Sequence, residues 1–337
     1  MSRSPTLRWL APLMPLTIGV VIVAFAAAQD PFEIPLWAYP GGQPSSAPAD
    51  SAQLHRVPNS TARFTLRETL DRFAPPDWHP RRHPPMPDVV AHGRAPKLFA
   101  CAYCHLPNGT GRPENAVLAG LPEAYIVAQF EAFRSSARKS PLPAYIPGLS
   151  MHTVAVNATN QDAVAAARYF SRLKNAPKVR VIEASRIPRM REAAFVYARD
   201  PAGGTDSLGM RIIEGPPDLE RHELRDDEIT YVAYVPPGSV TRGRSIAQTG
   251  PAGPATACVT CHGARLQGVG LVPPLAGHFP TYIMRQLVGF KTGARSTPAS
   301  QPMQAVVARM STADMIAVAA YAGSLNAASQ HHRRPDR

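Results

Sequence analysis

Four cysteines occur in the 337 residues, and all of them fall in two pentapeptides, Cys101-Ala102-Tyr103-Cys104-His105 and Cys258-Val259-Thr260-Cys261-His262. A Cys-x-x-Cys pair alone fits a redox pair or half of a zinc site, so the histidine that follows matters. In a c-type site the two thiols add to the haem vinyl groups and the adjacent imidazole binds the iron. The motifs therefore point to two covalent haem c groups, attached through Cys101, Cys104, Cys258 and Cys261, with His105 and His262 as iron ligands. The competing reading, one Cys₄ zinc site built from both pairs, leaves both histidines without a role.

The elements that must hold these residues emerge as an internal repeat. At an offset of 157 residues the first motif falls on the second, Gly111 on Gly268 and Leu118-Ala119-Gly120 on Leu275-Ala276-Gly277. The register continues through Tyr125-Ile126, Gln129, Phe133 and Ala137-Arg138, which fall on Tyr282-Ile283, Gln286, Phe290 and Ala294-Arg295. Past a loop around Ser140 to Gly148 the offset becomes 152, matching Met151 to Met303, Asp162 to Asp314, Tyr169 to Tyr321 and Leu173 to Leu325. Methionine is the usual partner of histidine on an electron-transfer haem, because its thioether favours ferrous iron. Met151 and Met303 are accordingly the expected sixth ligands. Met284, Met310 and Met315 lie in helical patterns and read as core or surface methionines. His152 and His278 are rivals, each without a histidine at the matching position of the other copy.

Helical spacing of Ile126, Phe130 and Phe133, repeated over Tyr282 to Phe290, predicts one helix per copy. Ser311-x-x-Asp314 reads as a capping box opening a last helix that carries Tyr321. Helices ahead of each motif are expected over Asp88 to Arg94 and Val240 to Gln248. The fold class expected is mainly α, with two tandem cytochrome c-type haem domains over 87–177 and 238–327. Between them, residues 178–237 show short β-type runs such as Val179-Arg180-Val181 and Tyr231 to Val235, and read as a small β-rich spacer.

Residues 29–86 are rich in proline and read as an extended strap with a short helix near Phe64 to Phe73. His79 and His83 within it are expected to be surface loop residues. Arg3 and Arg8 precede an uncharged stretch from Trp9 to Ala28, so residues 1–28 fit either a membrane anchor, the preferred reading, or a signal peptide cut after Ala28. Either places the bulk of the chain on the periplasmic side of the cytoplasmic membrane. Residues 328–337 form a basic tail.

The paired motifs, the proline-containing loop leading to Leu-Ala-Gly, the Tyr-Ile-x-x-Gln segment and the late methionine before an alanine-rich helix resemble the two-domain dihaem class I cytochromes c. The resemblance covers 87–175 and 239–327. It implies single-electron transfer between a membrane-associated or periplasmic donor and an oxidase or other acceptor, with His105 and Met151 on one iron and His262 and Met303 on the other. The long inter-domain segment and the N-terminal extension depart from that family. An electron-transfer subunit of a dehydrogenase or oxidase complex, or a dihaem peroxidase, are the alternatives. Peroxidase chemistry needs an axial position open to substrate, which a His/Met pair closes, and no fifth cysteine exists to ligate a haem. The chain therefore reads as a carrier and not an enzyme.

The formal net charge is +12. Residues 80–175 hold 11 Lys+Arg against 5 Asp+Glu and residues 238–327 hold 7 against 1, whereas 176–237 hold 9 against 11. Basic haem domains suit redox partners with acidic docking surfaces. No nucleic-acid recognition motif accompanies the charge, which excludes that class.

Overall fold

The computed structural model describes Met1 and residues 32–42 and 52–325. The hydrophobic stretch from Trp9 to Ala28 and the basic tail lie outside the described residues. Among the described residues no single helix is long and apolar enough to cross a membrane.

The strap begins with a 3-10 turn at Leu36–Ala38 and continues through a strand pair, β1 (Leu54–His55) and β2 (Phe64–Thr65). Among the described residues its one α-helix is short, α1 (Leu66–Thr69), and opens with a capping box between Thr65 and Glu68. Proline density does not leave this segment loose, because its apolar side chains find partners far along the chain. Trp78 is buried, stacks edge-on against Phe64 and donates from its indole to Leu224 O.

The first copy of the repeat contains α2 (Asp88–Ala91), a hairpin of β3 (Gly93–Arg94) and β4 (Leu98–Phe99), and α3 (Cys101–His105). It continues through α4 (Glu123–Arg134), α5 (Ile146–Asn157) and α6 (Asn160–Ser171). The helix expected to run to Arg94 stops at Ala91, since Gly93 takes a positive φ of 64° and turns the chain into the hairpin. Helices α4, α5 and α6 enclose a core of Ile126, Phe130, Val154, Ala166 and Phe170.

The segment from 178 to 237 carries most of the strands. β5 (Val179–Glu183), β6 (Arg186–Pro188), β7 (Met190–Ala193), β8 (Val196–Arg199), β9 (Thr205–Ser207) and β10 (Ile213–Gly215) precede α7 (Leu219–Glu223) and β11 (Tyr231–Val235). β11 lies between β10, antiparallel, and β5, parallel, while β7 and β8 form a hairpin. The segment is the small β-rich element expected, and it packs against both copies of the repeat. Ile229 and Tyr231 share a small core with Val117 of the first domain and Phe279 of the second.

The second domain repeats the first with a full-length leading helix, α8 (Ser239–Thr249), then α9 (Cys258–His262), α10 (Pro280–Lys291), α11 (Gln301–Ala308) and α12 (Thr312–Ser324). α8 lies so close to α12 that a Cβ at Gly243 would stand 2.0 Å from Ala317 O. The last helices match across the repeat. α6 is capped by Thr159 with Asp162 and α12 by Ser311 with Asp314, and each carboxylate also holds an arginine, Arg94 and Arg242 respectively.

Candidate functional site: two haem-attachment centres and the seam between them

Each Cys-x-x-Cys-His forms a single helical turn, and the chain after it folds in the same way twice. His105 O accepts from Gly111 N at 3.0 Å, and His262 O accepts from Gly268 N at 2.8 Å. Gly111 and Gly268 take φ of 61° and 81°, a region glycine enters without steric cost. The loop returns a carbonyl to the imidazole. His105 Nδ1 lies 2.8 Å from Ala116 O, and His262 Nδ1 lies 2.8 Å from Pro273 O, the same position of the repeat. An Nδ1–H donated to a carbonyl leaves the Nε2 lone pair for a metal and fixes the ring's orientation. Burial pushes the His105 pKa down to about 4 and lowers that of His262, so both rings are neutral at pH 7. Burial also raises the thiols, to about 12 for Cys101 and about 11 for Cys258.

In the first domain Cys101, Cys104, His105 and Met151 line one cleft, closed by apolar side chains that include Ile126, Phe130 and Val154. Met151 reaches it from α5. The rival His152 is not part of that lining and turns its Nδ1 to Phe133 O at 2.9 Å. In the second domain Met303 is half-buried on α11, whereas Met284, Met310 and Met315 are buried core residues. His278 is buried with its Nε2 unpartnered, and burial lowers its pKa to about 4.

The polar end of the first cleft tests whether a haem fits. Arg138, Arg285 and Arg295 are buried and line it, and none forms a salt bridge within 4 Å of a carboxylate among the described residues. The hydroxyls of Tyr39 and Tyr145 line it too, buried and unpartnered. Buried cations and hydroxyl donors without acceptors are costly. An ionised propionate supplies the missing charge and acceptors, so the residues present fit the group.

The same arginines form the seam between the domains. Arg138 donates to Gln129 Oε1 at 2.7 Å and Gln286 Oε1 at 2.8 Å, and Arg295 donates to Gln286 Oε1 at 3.2 Å and Gln129 Oε1 at 2.8 Å. Backbone bonds repeat the pattern, from Lys139 N to Ala294 O at 2.9 Å and from Ser296 N to Ala137 O at 2.8 Å. All four side chains belong to the repeat at offset 157, so the seam has an approximate two-fold axis.

Residues 240–326 match the family model described as cytochrome c. Cytochrome c4 of Pseudomonas aeruginosa is 31% identical over 243 residues, covering 70% of this chain and 89% of the relative. The chain belongs to the dihaem class I cytochromes c. A protein of Thiomonas intermedia named as thiosulfate dehydrogenase electron acceptor is 29% identical over 227 residues, covering 66% of this chain and 77% of the relative. A solved thiosulfate dehydrogenase of Marichromatium purpuratum is 27% identical with a TM-score of 0.46, the match covering 71% of this chain and 39% of that one. Like its relatives, this dihaem cytochrome is an electron-transfer protein that carries covalent haem c.

Several residues that shape this cytochrome escaped the motif reading. Gln129, Arg138, Gln286 and Arg295 were visible as repeated positions, but repetition alone does not say that the two copies face each other. His79, expected on the surface, is buried, with its Nδ1 2.5 Å from Asp227 Oδ1. The side chain of His83 is likewise covered, and its Nε2 meets Asp77 Oδ1 at 3.1 Å. The inserted segment engages His79, while His83 is held by Asp77 within the strap and packs edge-on against Tyr169, so both serve as struts of the strap.

Proposed function

We propose that this chain holds two haems, one per domain, and passes single electrons between redox proteins on the periplasmic side of the cytoplasmic membrane. Cys101 and Cys104 would anchor the first haem and Cys258 and Cys261 the second, with His105 and Met151 as the side chains that would hold one iron and His262 and Met303 the other. The observation that carries the reading is the recurrence of one local geometry, a Cys-x-x-Cys-His turn whose imidazole is oriented by a backbone carbonyl at 2.8 Å. When bound, the haem supplies an iron that alternates between ferric and ferrous states.

The chain's own groups set the conditions for that change. Arg138, Arg285 and Arg295, which line the first cleft, would offset the ionised propionates of a haem held there. The apolar side chains lining the first cleft, among them Ile126, Phe130 and Val154, would limit water beside a bound haem, which would favour electron transfer over substrate binding. The localisation rests on the uncharged stretch from Trp9 to Ala28 behind Arg3 and Arg8.

The test is an intact-mass measurement joined to a spectroelectrochemical titration of the purified protein. Two added haem masses and two one-electron waves are expected, and Cys104→Ala or Cys261→Ala each removes stable haem from one domain only. Extractable haem, or zinc in place of iron, refutes the reading. A second reading follows from the Thiomonas relative's printed name: the donor is a thiosulfate dehydrogenase. This chain has no cysteine beyond the four attachment thiols, so it accepts those electrons and does not oxidise the thiosulfate. Reduction by thiosulfate only when such a dehydrogenase is added supports that donor, and reduction without it returns the assignment to the enzyme class.

A further inference from the structure

The loop that follows the attachment motif is repeated in backbone but not in exposure. At offset 157, Arg112 and Glu114 of the first domain correspond to Val269 and Leu271 of the second. Arg112 and Glu114 are 8% and 5% exposed, paired at 2.8 Å, and Arg112 also donates to His222 O of the inserted segment. Val269 and Leu271 are 58% and 67% exposed. The difference extends to the motif itself. Arg225 of the insert stacks 3.5 Å over the Tyr103 ring and donates to Tyr103 O, and Asn108 donates to Asp227 O. In the second domain Thr260, Cys261 and Arg265 are exposed.

The insert thus occupies, on the first domain, the surface that the second domain leaves open. Two large aliphatic side chains at a loop tip, beside an exposed attachment cysteine, are an unusual use of surface in a chain that buries the equivalent positions. The exposed charge of this domain is one-sided. Within residues 238–327 Arg242, Arg244, Arg265 and Arg309 are exposed, Arg285 and Arg295 are buried at the seam, and the single acid, Asp314, is engaged by Arg242.

We propose that protein partners dock on the second domain's attachment face, with Val269 and Leu271 as the apolar centre and Arg265 on a basic rim. The insert bars the same mode of docking on the first domain. This rests on the reading of Cys258, Cys261 and His262 as a haem site. The partner is a redox protein whose own docking surface is an apolar patch bordered by carboxylates, since apolar contact supplies the dry centre and opposite charge steers the encounter. The two centres are then inequivalent by construction: electrons enter or leave the protein through the second, and the seam joins it to the first.

The experiment uses the full haem-loaded protein and reduced flavodoxin, an acidic one-electron protein donor, in stopped-flow at low ionic strength. Leu271→Glu and Arg265→Glu are each expected to lower the second-order rate constant about tenfold, the low end of the effect of electrostatic steering. Arg191→Glu, an exposed change on β7 of the insert, is expected to leave it unchanged. Reduction of all variants by ascorbate, which needs no protein docking, is expected to stay at the wild-type rate. Wild-type rates with flavodoxin for both Leu271→Glu and Arg265→Glu, in protein whose mass shows two haems, overturn the docking face alone, as does a loss confined to Arg191→Glu. A mass lacking the haem at Cys258 and Cys261 overturns the reading of that site and this proposal with it.

Discussion

Glu214 sits on β10 with its carboxylate buried against the N-terminus of α10, where Thr281 donates to it from its backbone N–H at 2.9 Å and from its hydroxyl. Those donors favour the ionised form, and Arg285 adds to them, but burial outweighs both and raises the pKa from an ordinary 4.5 to about 7. A carboxyl raised in the folded state contributes stability that is fully present below the unfolded pKa and is lost as pH rises through the folded one. The interval from 4.5 to about 7, at 1.36 kcal/mol per pH unit, is about 3 kcal/mol. Glu214→Gln keeps the shape and an acceptor for Thr281 N while removing the titration. Denaturant titrations of the haem-loaded protein, followed by far-ultraviolet circular dichroism, are expected to show the variant close to wild type at pH 4.5. The variant then gains about 3 kcal/mol relative to wild type by pH 7.5, with no further gain above that. A difference that is flat with pH, or that favours wild type as pH rises, refutes the reasoning, because it means that the Thr281 donors and Arg285 hold Glu214 ionised.

Met151→His and Met303→His, made singly, are each expected to lower the potential of one haem and to remove roughly half of the sulfur-to-iron charge-transfer absorbance, whereas His278→Leu leaves that band intact. An unchanged band in either methionine variant assigns that ligand elsewhere. Arg225→Ala removes bonds of 2.8 Å to both Thr69 O and Tyr103 O and the stacking on Tyr103, all buried under the insert. It is expected to cost about 2 to 4 kcal/mol in the same denaturant assay. Gln129→Leu deprives both Arg138 and Arg295 of an acceptor and is expected to cost about 2 to 3 kcal/mol. Faster amide exchange at Lys139 and Ser296, whose N–H groups bond across the seam, is the accompanying signature.

The Cys-x-x-Cys-His motif was legible in the chain because it is contiguous. Two thiols and an imidazole must sit within one helical turn to grip one haem, so five residues announce the site wherever the domain folds. The repeat was legible for a related reason. Gly111 and Gly268, the capping pairs Thr159 with Asp162 and Ser311 with Asp314, and the apolar spacing of α4 and α10 each answer a local demand of backbone or helix end, and local demands recur at fixed offsets. What the copies do to each other depends on contacts between residues far apart in sequence. Arg138 reaches Gln286, Trp78 reaches Leu224 and Arg225 reaches Thr69, and no spacing rule encodes those meetings. Position 112 carries arginine and position 269 valine, a difference the chain displays plainly. Only the packing of the insert over the first domain decided that the charged pair is covered and the aliphatic pair exposed, because exposure is set by what else the folded chain brings to that surface.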